Sequence, residues 1–182
     1  MTMKAFVEEL SARFEVLWTH AQRDDLFQFG VPAVQAVPLL SYLKAHTPFI
    51  QLTHYTVVDW IEDGEFQMTY LLTDPVGRRA LMICARIDRE TAEADSLYKL
   101  WPQAVTYEHE MNEMFGIHFP GSPRMGLDFC LEKWTNTPPM RRDFDTVAFV
   151  KEMIPERPGR EFITTRDYIG QKVGEKRLLH DD

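Results

Sequence analysis

From Phe49 onward the chain adopts a period of two and keeps it through three successive runs, and no other feature restricts its fold as strongly. Ile50, Leu52, His54, Thr56, Val58 and Trp60 alternate with polar neighbours and so share one face of a strand. Asp63-Gly64 reads as a hairpin turn, after which Phe66, Met68, Tyr70 and Leu72 share a face of the next strand. Beyond the turn Asp74-Pro75-Val76-Gly77, the residues Leu81, Ile83, Ala85 and Ile87 continue as a third strand. Strands joined by such short turns run antiparallel, so the middle of the chain predicts a meander with one apolar face. In that setting His54 reads as a structural histidine satisfied by its neighbours.

Helical spacing appears on either side. Lys4 to Trp18 places Val7, Leu10, Phe14 and Leu17 on one face, with Glu8, Glu9, Arg13 and Glu15 elsewhere on the circumference. Leu26 to Gly30 is a short aromatic strand ended by Gly30-Val31-Pro32, and Leu39, Leu40 and Leu43 mark a helix to about His46 with Pro38 in its first turn. Asp95 or Ser96 would cap a short helix through Trp101, where Pro102 opens the next. Helices and strands in this irregular succession predict a two-layer α+β domain over residues 1–137. Residues 138–182 have spaced prolines and only scattered anchors (Phe144, Phe149, Ile154, Phe162, Tyr168 and Ile169), too little apolar material for a core. They predict an extended C-terminal arm that is ordered on a partner, with at most two helical turns from Val147 to Met153.

The densest signal is Tyr107 to Pro123. Tyr107, Met111, Met114 and Phe115 fall in one apolar arc, Glu108 and Glu110 lie at its margins, and His109, Asn112 and Glu113 face away. Gly116 supplies the left-handed stop, and Pro120 and Pro123 prevent the helix from resuming. The run His109-Glu110-Met111-Asn112-Glu113 is H-E-x-x-E, which would put His109 and Glu113 on one helix face beside an ion with Glu110 as a base. A catalytic zinc site needs a third protein ligand, and of the other histidines only His118 is near, beyond the helix stop.

Composition narrows the classes. A net charge of −8 opposes binding to nucleic acid, whose phosphates it would repel. Residues 138–182 balance nine basic against nine acidic side chains, so the whole excess sits in 1–137 and suits docking to a basic protein surface. Cys84 and Cys130 cannot supply the four thiolates of an iron–sulfur cluster and read as buried free thiols in a reducing compartment. The longest uncharged run, Leu26 to Leu43, is too polar and too interrupted by proline to cross a bilayer, and Glu8-Glu9 interrupts any secretory leader. The cytoplasm is the expected compartment.

The Tyr107 to Pro123 stretch, Y-E-H-E-M-N-E-M-F-G-I-H-F-P-G-S-P, resembles the signature E-R-E-x-x-D-M-F-G-I-x-F-x-G-H-P of the 30 kDa (C-type) subunit family of respiratory complex I. Leu100-Trp101-Pro102 before it and Pro139-Met140-Arg141-Arg142-Asp143-Phe144 after it are similar to the family's L-W-P and P-L-R-K-D-[YF], so the resemblance runs from about Phe49 to Asp145. The same module occurs in membrane-bound hydrogenases and their archaeal relatives. Two departures stand out: His109 occupies the position of a usual Arg, and Arg124-Met125-Gly126-Leu127 replaces a Leu-Arg-Arg run.

The resemblance implies helices packed on one mixed sheet and a non-catalytic, cofactor-free scaffold subunit in the peripheral arm of a quinone-reducing (NADH/quinone oxidoreductase) or hydrogen-evolving, ion-pumping complex. It implies packing against the large hydrogenase-like (D-type) subunit, iron–sulfur clusters in neighbouring subunits, attachment to the inner membrane's cytoplasmic face only through the complex, and a C-terminal segment sent over the large subunit. Candidate partner-interface residues are Glu108, Glu110, Arg141, Arg142, Asp143, Phe144 and Tyr168, with either glutamate pairing to Arg141, Arg142 or an arginine of the neighbour. The alternatives are a metallohydrolase built on the H-E-x-x-E helix and a free-standing adaptor.

Overall fold

The computed structural model describes residues 3–153, 168–170 and 172 and divides into two units, Met1–Phe144 and Asp145–Asp182. The first unit therefore runs past the boundary drawn at 137. Its elements are α1 (Met3–Arg13), β1 (Trp18–Arg23), β2 (Leu26–Pro32), α2 (Ala33–His46), β3 (Gln51–Trp60), β4 (Glu65–Asp74), β5 (Arg79–Asp88) and α3 (Ala104–Phe115). The sheet order is β1-β2-β5-β4-β3, antiparallel except for the parallel β2–β5 pair. This is the α+β architecture with an antiparallel meander that the alternation predicts, and the mixed sheet that the family resemblance implies.

One core joins the layers. Phe66, Met68, Tyr70 and Leu72 of β4 and Leu81, Ile83, Ala85 and Ile87 of β5 pack with Phe6, Val7 and Leu10 of α1, Leu39, Leu40 and Leu43 of α2 and Met111 of α3. Strand β3 departs from the expected alternation. Leu52 pairs with Leu72 but His54 pairs with Leu71, so Thr53 is an extra residue on β3. Such a bulge reverses the inward set for the rest of the strand. Tyr55, Val57 and Asp59 are buried, while Val58 and Trp60 are exposed together with Ile50 and His54.

Other differences have local causes. Helix α1 stops at Arg13, and Leu17 is exposed rather than part of its apolar face. Strand β1 is an edge strand with every residue exposed, so it carries no inward hydrophobic signal. Pro38 lies inside α2, not in its first turn. Its missing N–H removes the helical donor to Val34 O, and Val34 is exposed. Residues 95–101 form a loop with a single turn at 98–100 instead of a short helix, and α3 begins at Ala104 after Gln103 rather than at Pro102. Trp101 is buried and donates through Nε1 to Ile50 O at 2.9 Å, which ties the approach to α3 to the start of β3. Lys44 Nζ bonds Leu100 O and stands 5.1 Å from the Trp101 ring centre.

Of the second unit, 145–153, 168–170 and 172 are described. α4 (Thr146–Met153) is capped by Asp145, whose Oδ1 accepts from Val147 N at 3.0 Å and Ala148 N at 2.9 Å. Tyr168 and Ile169 are exposed, whereas Ile154 and Phe162 lie outside the described residues. Among the described residues no helix is long and apolar enough to cross a membrane.

Phe115 is half-buried, its ring edge-on to Phe66 at 6.2 Å, whereas Met111 is fully in the core. Full burial of a Phe would make truncation cost about 3–5 kcal/mol, so for this half-buried ring Phe115→Ala should cost about 2 kcal/mol in a denaturant titration. A loss under about 0.5 kcal/mol would show that the ring contributes no core packing.

Candidate partner interface

Helix α3 is covered from two sides, and this changes the expected roles of its polar residues. Glu108, expected at the margin, has no exposed surface and sits on the face that packs into the core. Its Oε1 accepts from Leu97 N at 2.6 Å and its Oε2 from Ser96 Oγ at 2.9 Å. The glutamate therefore closes the turns before α3 and pairs with neither Arg141 nor Arg142. Glu110 is exposed and forms no ion pair among the described residues.

His109 does not face away either: it is 4% exposed, covered by the loop that returns after Phe119. Nε2 donates to Leu127 O at 2.7 Å, the ring meets Phe129 edge-on at 5.2 Å, and Nδ1 is buried with no partner among the described residues. Glu113 fixes the same loop, accepting from Phe129 N at 2.6 Å, Cys130 N at 2.9 Å and Leu131 N at 3.1 Å. Burial works to raise the Glu113 carboxyl, but these backbone donors outweigh it and hold the group below its ordinary value. His109 Nε2 and both Glu113 oxygens are thus engaged by the loop, and among the described residues no group of three or more His, Cys, Asp or Glu side chains could hold a metal. Cys84 is buried as expected, but Cys130 is exposed, its thiol donating to Glu113 Oε2 at 3.3 Å.

The second group of candidates forms a clamp at the C-terminal end of α3. Gly116 caps the helix with φ 76°, where a Cβ would lie 3.1 Å from Pro138 Cγ. Into the space beside it come Met140, whose N–H donates to Met114 O at 3.0 Å, and Arg141, whose Nε donates to Phe115 O at 2.6 Å. A guanidinium on the last helical carbonyls is favoured by the helix dipole. Arg141 and Arg89 both lie against the Phe66 ring, at 5.2 and 5.7 Å from its centre.

Arg89 in turn joins Asp59 at 2.8 Å and Asp143 at 2.8 Å, while Arg142 N donates to Asp59 Oδ2 at 3.0 Å. For Asp59, burial works to raise the carboxyl, but the Arg89 guanidinium and the Arg142 N–H prevail and hold it below its ordinary range. Asp143 is lowered chiefly by Arg89. The Arg142–Glu62 pair, 52% and 61% exposed, adds little to stability. Phe144 packs edge-on to Trp134 at 5.7 Å. The structure thus brings Arg141, Arg142, Asp143 and Phe144 together, anchored by Asp59 and Arg89, which no sequence motif singles out. Tyr168 belongs to the other unit. Around the clamp and the returning loop, Leu127, Phe129 and Met140 are exposed apolar side chains.

Fold and site define an open-sheet α+β module whose buried carboxylates and arginines hold surface loops in fixed positions. The sequence pattern of the respiratory-chain NADH dehydrogenase 30 kDa subunit matches residues 29–150, and the chain belongs to that family. It is 32% identical over 142 residues to the C subunit of NADH-quinone oxidoreductase from Moorella thermoacetica, covering 78% of this chain and 95% of that protein. It is 28% identical over 153 residues to the C/D subunit of NADH-quinone oxidoreductase from Yersinia pestis, covering 78% of this chain but 25% of that longer protein. A chain in the structure of the membrane-bound sulfane sulfur reductase, an archaeal respiratory membrane complex, superposes with a TM-score of 0.79 at 26% identity, covering 90% of this chain and 96% of that one.

Proposed function

We propose that this chain is a scaffold subunit, without catalytic residues or cofactor of its own, in the peripheral arm of a complex I-like, ion-pumping redox complex. Its principal partner is the large hydrogenase-like subunit of D type. Iron–sulfur clusters reside in neighbouring subunits, and the chain reaches the cytoplasmic face of the inner membrane only through the complex.

The observation that carries this reading is the Yersinia relative, named as a C/D subunit, in which the matched region is a quarter of one longer polypeptide. Joining two modules covalently keeps them at a high effective concentration, an arrangement suited to parts that stay packed together. The geometry agrees with it, since the buried polar groups of the first unit hold loops and leave Leu127, Phe129 and Met140 outward. A tagged chain purified from membranes in mild detergent should bring the large subunit and iron–sulfur subunits in fixed ratio. Recovery of the chain alone, with intact complex found in other fractions, would exclude the reading.

A further inference from the structure

A cleft of about 250 Å3 opens between α3 and the loop that returns over it, lined by Glu113, Leu127, Asp128, Leu131, Trp134 and Pro138 among others. Two of its lining residues are carboxylates and none is Lys, Arg or His. Glu113 is tied to three backbone N–H groups on the loop. Asp128 is less engaged: it accepts one long bond, from Lys133 N to Oδ2 at 3.4 Å, and forms no ion pair among the described residues. Beside it Leu127, which lines the same cleft, is 60% exposed. The lining thus combines apolar side chains and an indole with one carboxylate, Asp128, that forms no ion pair among the described residues.

We propose that this cleft receives one arginine side chain from the large subunit against which the chain packs; the proposal rests on the scaffold reading above. The methylene stem of an arginine would cover Leu127, Leu131 and Pro138, and its planar guanidinium would meet Asp128 and the Trp134 ring. A lysine offers neither a planar face nor a fork for a carboxylate, so arginine fits better. A charge taken from the rim of one protein into an acidic cleft of the other fixes the register of the two surfaces.

The test uses the tagged chain in its own complex, with Asp128→Arg and Asp128→Glu compared with wild type. The wild-type chain and Asp128→Glu should retain the large subunit through a wash at raised salt. Asp128→Arg, with an unchanged thermal midpoint for the purified chain, should lose retention by about tenfold or more, the equivalent of roughly 1.4 kcal/mol. A photo-crosslinking phenylalanine analogue at Leu127, which leaves Asp128 intact, should join the large subunit at a peptide containing an arginine. Equal retention by a folded Asp128→Arg chain, or a crosslink only to peptides without arginine, overturns the cleft contact and leaves the scaffold reading standing. A wild-type chain recovered without the large subunit overturns both.

Discussion

Asp59→Ala should lower the free energy of unfolding by about 3–5 kcal/mol, the cost of removing one member of a buried ion pair and leaving the other behind. The Asp59 side chain is 2% exposed and that of Arg89 14%, and the carboxylate takes Arg89 Nε at 2.8 Å and Nη2 at 3.1 Å besides Arg142 N at 3.0 Å. Alanine removes all three acceptor contacts, and the only carboxylate left to Arg89 among the described residues is Asp143, itself 43% exposed. Denaturant titration of the purified chain measures the loss. A change under about 1 kcal/mol would place the pair in the weak, solvated class.

The same group sets an acid limit. Its folded pKa lies below the ordinary carboxylate value, as do those of Asp74 and Asp143, so their stabilisation is complete above the unfolded value of about 4. It is lost as pH falls through the lowered folded values. Wild type should therefore lose stability below about pH 4 more steeply than Asp59→Ala.

Glu108→Ala should cost about 3 kcal/mol although it removes no ion pair. Leu97 is itself completely buried, and its N–H has Glu108 Oε1 at 2.6 Å as acceptor. A hydrogen bond to a charged group contributes about 1.5–3 kcal/mol, and a buried donor left without an acceptor adds a penalty of similar size. Glu108→Gln keeps a carbonyl acceptor for one of the two donors and should lose about half as much. Both are read from equilibrium unfolding. An alanine variant as stable as wild type would mean that water enters and serves Leu97.

Alternation made β4 and β5 legible to the residue, because nothing interrupts their pairing. The same rule placed the wrong half of β3 inside, since one extra residue at Thr53 reverses every side chain after it. A trace of the true register was present: Tyr55, Val57 and Asp59 are in phase with each other, and an aspartate in phase with an aromatic and a valine marks a paired buried charge. Helical periodicity found the extent of α3 but gave His109 and Glu113 to solvent, because it registers one covered side and cannot register a loop that returns over the other. The resemblance drew attention to Arg141, Arg142 and Asp143. Their anchors, Asp59 and Arg89, lie on distant segments that meet only when the sheet and α3 are assembled.

The parallel seam between β2 and β5 imposes an order on assembly. β3, β4 and β5 meet through turns of a few residues, as do β1 and β2, so each group closes at little cost in chain entropy. Joining them is different: Leu26 must find Ala80, and Pro32 must find Arg86, across α2 and two intervening strands. Contacts between such distant segments form late and set the folding rate. As the chain leaves the ribosome, β2 thus emerges before its parallel neighbour exists, and Phe29 and Val31, both buried in the end, wait for β5 to be synthesised. The Arg89 bridge to Asp143 closes later still, once the segment beyond α3 has followed.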